Sequence, residues 1–105
     1  MNTKKICVFC GSKVGNQLFF EKSRSLGKEL GLRGFTLIYG GGNQGLMGAV
    51  ASGCEEKGGK VIAVIPTFLS QVKHSENYLS EKRVVQTLFE RKKEMLDLAD
   101  GFIAL

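Results

Sequence analysis

The sequence predicts an α/β fold in which an open parallel sheet is covered by helices on both faces. Short apolar runs of β-prone residues alternate along the chain with longer segments of helical periodicity. One run, Val61–Ile65, is continuously apolar, as strands are when helices cover both faces of a parallel sheet. Glycine, with 14 copies against a single proline, separates these segments. From 105 residues with 43% hydrophobic content we expect one domain over residues 1–105.

Two strand–helix units are predicted in the first half of the chain. The first strand is Lys5–Phe9, and Asn16 is placed to cap a helix over about Gln17–Arg33. Gly34 supplies the left-handed residue at which such a helix stops. Phe35–Tyr39 is then the second strand.

The residue pattern in the middle of the chain predicts another helix and another strand. Small and apolar residues over Gly45–Lys57 favour a helix that packs closely on a sheet, and two glycines stop it. Lys60–Ile65 is the third strand, and Pro66 ends it. Residues 67–80 are polar and weakly patterned, so we expect a loop with a short helical turn.

The last predicted helix begins with a capping box. Thr87 and Glu90 have the required Thr-x-x-Glu spacing, and the helix reaches about Leu98. Residues 84–85 are expected to form a short strand before it. Gly101–Leu105 has the composition of a fourth main strand.

Charge and cysteine content limit the class of protein. Lys and Arg number 15 against 10 Asp and Glu, and this excess favours anionic partners without choosing among nucleotide, RNA and solubility. No aromatic and basic stacking motif supports nucleic-acid binding. No stretch approaches the roughly 18 apolar residues of a membrane helix, and no cleavable leader is visible, so a cytoplasmic protein without a membrane partner is predicted. Three cysteines and a single histidine favour reduced thiols and no metal site.

The strongest local motif is the glycine-rich turn after the second strand. Gly40, Gly41 and Gly42 follow one another, and bare amides beside a helix N-terminus can bind phosphate oxygens. Three glycines exceed the need of a turn, so anion binding is favoured over a tight turn with close helix packing. A dinucleotide fingerprint matches weakly, because no acidic residue follows after about 20 positions, and an NAD site is therefore not expected.

Two other pairs of residues are candidates for ligand binding. Gly11 and Ser12 follow the first strand, where amides and a hydroxyl could bind a sugar or phosphate, although a plain turn explains them equally well. Arg91 and Lys92 fall in the first turns of their helix, where the macrodipole disfavours cations. That position hints at function, and a solvated helix face is the alternative.

Several segments form a combined pattern over essentially the whole chain: Cys7–Ser12, Tyr39–Gly42, Gly45–Gly48, Val64–Pro66, Glu90–Lys92 with Met95, and Ala99–Leu105. This combination resembles the Lonely Guy (LOG) family, several members of which carry an older lysine decarboxylase label. The resemblance implies a Rossmann-like homodimer without a cofactor. Such an enzyme hydrolyses the N-glycosidic bond of nucleoside 5′-monophosphates, cytokinin riboside monophosphate or AMP, to free base and ribose 5-phosphate.

The resemblance also implies roles for individual residues. Arg91 matches the family's catalytic arginine, and Lys92 matches a neighbour that lies at the substrate. The glycine-rich loops that match Gly11, Ser12 and Gly40–Gly42 line the nucleotide cleft. An arginine can hold an anion but cannot act as the base.

One departure from the family pattern concerns catalysis. Family members continue after the fourth main strand with Pro-Gly-Gly-x-Gly-Thr-x-x-Glu, which supplies much of the phosphate cradle and the catalytic glutamate. That segment is absent from this sequence. We therefore expect a sheet truncated after the fourth main strand, an incomplete domain and little or no turnover by this chain alone. The alternative is a non-catalytic nucleotide-binding or structural module.

Overall fold

A computed structural model describes residues 4–9, 17–41, 45–67 and 81–105 of the chain. Strands and helices alternate as predicted through residue 66, and the strand expected around residues 84–85 precedes the last helix and strand. The elements are β1 (Lys5–Phe9), α1 (Gln17–Leu32), β2 (Thr36–Tyr39), α2 (Gly45–Glu56), β3 (Lys60–Pro66), β4 (Glu81–Val85), α3 (Leu88–Leu98) and β5 (Gly101–Ala104).

The described strands form one parallel sheet in the order β4-β3-β2-β1-β5. The chain adds strands in one direction from β1 to β4 and then crosses to the other side of β1 for β5. The predicted α/β class is confirmed, and the fourth main strand of the prediction is β5. Ligands of such sheets bind outside the carboxyl ends of the strands, near the point where the strand order reverses.

Each face of the sheet has its own apolar core. In β3, Val61, Ala63 and Ile65 face the core that includes Val50 and Cys54 of α2. Ile62 and Val64 face the opposite core, which contains Met95 of α3. Since successive residues of a strand point to opposite faces, helices on both sides explain the uninterrupted apolar run.

The predicted glycine stop of α1 is confirmed. Gly34 has φ +78°, and the amide of Phe35 donates to the carbonyl oxygen of Leu30 at 3.0 Å, which closes a Schellman motif. Gly58, with φ +81°, ends α2 in the same way. These turns lead directly into β2 and β3 and therefore set the direction in which both strands start.

Several boundaries differ from the sequence prediction, most of them by a single residue. β4 begins at Glu81, three residues earlier than expected, and β3 continues through Pro66, which pairs with Val85. The predicted loop over residues 67–80 lies outside the described residues except for Thr67, and the predicted cap Asn16 also lies outside them. None of the helices in the described ranges combines the length and the apolarity needed to cross a membrane.

Candidate functional site

A cavity of about 250 Å³ opens at the carboxyl ends of β1 and β2, beneath α3. This is the edge of the sheet at which the sequence predicts a ligand. Its walls are mostly apolar and include two cations, the lining residues being Val8, Phe9, Gly40, Met47, Leu88, Arg91, Lys92 and Met95. Complete sites for drug-sized ligands usually measure roughly 300–1,000 Å³, so this cavity has room for one moiety of such a ligand.

One face of α3 supplies half of the cavity lining. Leu88, Arg91, Lys92 and Met95 lie at positions i, i+3, i+4 and i+7, which is the spacing of a single helical stripe. Met95 is 4% exposed and anchors the stripe in the core. The two cations therefore occupy the middle of a stripe that would otherwise be apolar.

The start of α3 is fixed by its cap, and this determines where the cations lie. The Thr87 hydroxyl accepts a hydrogen bond from the Glu90 amide at 3.0 Å, as predicted for a capping box. The Glu90 carboxylate accepts from the amide of Gln86 at 3.0 Å, one residue before the cap. With the helix starting at Leu88, Arg91 lies one turn inside it and reaches the cavity.

Arg91 is held by a backbone carbonyl. Its Nη2 atom donates to the carbonyl oxygen of Gly40 at a distance of 2.6 Å. Burial lowers the pKa of the Arg91 guanidinium from its ordinary value. An arginine nevertheless stays protonated in proteins, so the side chain is a partly desolvated cation at the cavity wall.

Arg91 differs from the other three arginines of the chain in its partners. Arg24 pairs with Glu56, Arg33 with Glu29, and Arg83 with both Glu81 and Glu94. Within the described ranges no carboxylate forms an ion pair with Arg91. A partly buried cation that no described carboxylate neutralises favours binding of an external anion, because the anion recovers part of the desolvation cost.

Two positions of the triple-glycine turn require glycine, each for a different local reason. A Cβ atom on Gly40 would lie 1.6 Å from Nη2 of Arg91, in the space that the guanidinium occupies. Gly41 has φ +90°, and a Cβ there would lie 2.6 Å from Cγ1 of Ile65. Gly40 thus faces Arg91 with its carbonyl group. Phosphate binding by the amides of this turn stays a prediction.

The remaining predicted site residues are placed as follows. Lys92 is exposed and lines the cavity beside Arg91. Gly11, Ser12 and Gly42 lie outside the described residues. The structure therefore brings together Arg91, Lys92 and Gly40 of the predicted set.

The sequence did not single out the apolar walls as part of a site. Val8 and Phe9 are the last residues of β1, and Met47 lies in the first turn of α2. For Leu88 and Met95 a usable signal was present, because they flank the two cations at helical spacing. In the parts of the chain that the structure describes, no group of three or more His, Cys, Asp or Glu side chains could hold a metal ion.

Comparison with known proteins identifies the family. The family model described as "Possible lysine decarboxylase" matches residues 47–105, which is more than half of the chain. The cytokinin riboside 5′-monophosphate phosphoribohydrolase LOG of Oryza sativa is 44% identical over 103 residues. The chain belongs to the LOG family. The cytokinin riboside 5′-monophosphate phosphoribohydrolase LOG1 of Arabidopsis thaliana is 41% identical over 103 residues.

The match covers nearly all of this chain but less than half of each relative. It covers 97% of this chain but 43% of rice LOG and 48% of Arabidopsis LOG1. The chain thus spans slightly less than half the length of the LOG proteins it matches.

Solved structures support the Rossmann-like fold. The molybdenum cofactor carrier protein of Chlamydomonas reinhardtii matches with a TM-score of 0.83 at 22% identity, over 98% of this chain and 62% of that one. The molybdenum cofactor binding protein of Rippkaea orientalis matches with a TM-score of 0.85 at 21% identity, over 99% and 63% of the two chains. At this level of identity the likeness concerns the fold alone.

Proposed function

We propose that this LOG-family chain forms part of the nucleotide site of a phosphoribohydrolase that acts on nucleoside 5′-monophosphates, either cytokinin riboside monophosphate or AMP. The observation that carries the proposal is the Arg91 guanidinium, which no described carboxylate neutralises, at the wall of an apolar cavity. The activity for which the LOG relatives are named supports the choice of substrate.

Arg91 is suited to hold the anionic part of such a substrate. A guanidinium has five N–H donors, and the Gly40 carbonyl accepts from one of its nitrogen atoms. The remaining donors can form paired hydrogen bonds with phosphate oxygens, the geometry that arginine provides and lysine does not. Lys92, exposed at the rim, adds a second positive charge.

The apolar walls suit the uncharged part of a nucleotide. Phe9, Met47 and Leu88 offer aromatic, thioether and aliphatic surfaces on which a flat base can pack. The cavity of about 250 Å³ is smaller than complete sites for drug-sized ligands, which usually measure roughly 300–1,000 Å³. We therefore propose that residues outside the described ranges, Gly11, Ser12 and Gly42 among them, complete the site.

The reaction needs a group that Arg91 cannot provide. Hydrolysis forms a bond from water oxygen to C1′ of the ribose and breaks the C1′–N bond, whose electron pair and a proton go to the base. A carboxylate has to take the proton from water. The family resemblance assigns that role to the glutamate of the Pro-Gly-Gly-x-Gly-Thr-x-x-Glu segment, so we propose that Arg91 binds the nucleotide and takes no part in this proton transfer.

A calorimetric titration of AMP into the 105-residue protein tests the binding proposal. We expect binding, and we expect Arg91→Ala to weaken it by at least about tenfold, the loss of one charge-assisted hydrogen-bond pair. Arg33→Ala is the matched control, since it removes the same charge from an exposed pair with Glu29. Absence of AMP binding by the unaltered protein, or equal effects of the two substitutions, contradicts the proposal.

A chimera separates the enzyme from the alternative, a non-catalytic nucleotide-binding module. Residues 1–105 are joined to the remaining carboxyl-terminal part of rice LOG, and release of adenine from AMP is followed by chromatography. Release that Arg91→Ala abolishes supports the hydrolase. A folded chimera that binds AMP without releasing adenine supports the module.

We further propose that the protein acts as a homodimer in the cytoplasm. β5 is an edge strand among the described strands, and an unpaired edge is open to another chain. α3 and β5 also carry large exposed apolar side chains, among them Phe89 at 78% and Phe102 at 49% exposure. A second copy of the chain that covered them would remove this surface from water. The cytoplasmic location stays a prediction of the sequence.

A further inference from the structure

We infer that Gly40 is a positioning residue, whose bare α-carbon and carbonyl group together hold the Arg91 guanidinium in the cavity. This inference rests on the proposed nucleotide site but assigns Gly40 a role different from that of a phosphate-binding amide. Its carbonyl oxygen lies 2.6 Å from Nη2 of Arg91. The two residues also line the same cavity.

The space beside the α-carbon of Gly40 is occupied by side chains. A Cβ atom there would lie 1.6 Å from Nη2 and 2.7 Å from Cζ of Arg91, far inside any real contact distance, and 3.2 Å from Cε of Met47. All three atoms belong to the far ends of flexible side chains. An alanine at this position would therefore displace the guanidinium, while the backbone of the sheet could stay in place.

The backbone conformation at position 40 does not by itself require glycine. Gly41, Gly34 and Gly58 have positive φ values, which favour glycine whatever surrounds them. Gly40 is not among the described residues with positive φ. The backbone at position 40 thus accepts an alanine, and among the described residues the requirement for glycine comes chiefly from Arg91.

No described carboxylate orients the Arg91 guanidinium. The other three arginines are held by carboxylates, whereas Arg91 is held by a neutral carbonyl. A carbonyl fixes the direction of the guanidinium without neutralising its charge. The positive charge consequently stays available to an anion in the cavity, which an Arg–Glu pair would prevent.

The direct test is nitrogen-15 NMR of the arginine side chains in the unaltered protein and in Gly40→Ala. We expect the Arg91 guanidinium of the unaltered protein to show hindered rotation and slow hydrogen exchange, and its signal is assigned by its loss in Arg91→Lys. Gly40→Ala should give Arg91 the averaged signal of a free side chain. An unchanged Arg91 signal in Gly40→Ala overturns the inference.

Two alanine substitutions serve as controls for folding. In Gly101→Ala the new Cβ would meet only the flexible end of Ile6 at 3.3 Å, so the Arg91 signal should stay unchanged. In Gly53→Ala the new Cβ would lie 2.2 Å from the carbonyl oxygen of Arg24, a backbone atom, so the melting temperature should fall. We expect Gly40→Ala to melt close to Gly101→Ala. Melting as low as Gly53→Ala overturns the claim that only Arg91 requires this glycine.

Binding of AMP links this geometry to the site. If Gly40 acts through Arg91, Gly40→Ala weakens AMP binding by about as much as Arg91→Ala, and the double variant binds no more weakly than Arg91→Ala. Losses that add in the double variant mean that Gly40 contacts the nucleotide independently, and this overturns the inference. If the unaltered protein binds no AMP, the proposed function fails, and the NMR comparison alone decides the positioning role.

Discussion

The Nη2 atom of Arg91 lies 2.6 Å from the carbonyl oxygen of Gly40, so a hydrogen bond joins α3 to the end of β2 across 51 positions of the chain. This contact places a cation in an apolar cavity at the edge of the sheet where parallel α/β proteins bind ligands. It also gives the first glycine of a triple-glycine turn a specific partner.

The cap of α3 should stabilise the helix that carries Arg91. Thr87→Ala removes the hydroxyl that accepts from the Glu90 amide, and we expect the free energy of unfolding to fall by about 1 kcal/mol. Thr87→Ser keeps the acceptor and is expected to retain most of that stability. Urea unfolding measures both variants. Equal losses in the two variants would show that the methyl group of Thr87, rather than its hydroxyl, stabilises this region.

Close packing of α1 on α2 should require glycine at Gly53. An alanine there would gain up to about 1 kcal/mol of helix propensity but would put its Cβ 2.2 Å from the Arg24 carbonyl oxygen. Overpacking against a backbone atom costs roughly 1–3 kcal/mol or more. This cost should exceed the gain in helix propensity and lower the midpoint of urea unfolding. Ser25→Ala, on the exposed side of α1, is the control. A Gly53→Ala variant more stable than the unaltered protein would show that the helices are not this close.

Stability should depend on pH through Cys54 in the alkaline range. Burial raises the pKa of the Cys54 thiol from 9.0 to about 11. The neutral thiol favours the folded state below pH 9, and this contribution is lost as the pH rises towards 11, because the unfolded chain ionises first. Over that interval the free energy of unfolding should fall by up to about 3 kcal/mol more than in Cys54→Ala. Parallel curves for the two proteins would contradict the assignment.

The apolar surface of α3 should mediate self-association. Phe89 is 78% exposed, and Phe89→Glu is expected to shift the protein towards the monomer in analytical ultracentrifugation, because it places a charge in the proposed interface. Phe19→Glu is the matched control on α1, where Phe19 is 60% exposed. A monomeric unaltered protein at high micromolar concentration, or equal effects of both changes, would contradict the proposed dimer.

Much of the fold was predictable because its signals are local. Gly34 as a helix stop, and Thr87 with Glu90 as a helix start, each depend on residues within one turn of the chain. The start of β4 was missed because Glu81, Lys82 and Arg83 carry no apolar pattern. β4 lies at the edge of the described sheet with its side chains largely exposed, so hydrogen bonding to β3 defines it rather than burial.

The site was predictable only in part, for the opposite reason. The position of Arg91 in the first turns of α3 follows from the capping motif. Its partner Gly40 does not, because the order of the strands decides which loop faces α3. The close approach of α1 to α2 at Gly27 and Gly53 depends on tertiary packing in the same way. Long-range contacts of this kind leave no spacing signal in a single sequence.

Arg91 is proposed to bind the anionic group of a nucleoside 5′-monophosphate in the cavity beside Gly40. A crystal structure of the protein with AMP is the decisive test of this proposal. We expect nucleotide density in the cavity, with phosphate oxygens within hydrogen-bonding distance of the Arg91 guanidinium. An empty cavity at saturating AMP, or a nucleotide bound elsewhere with its phosphate away from Arg91, would contradict it.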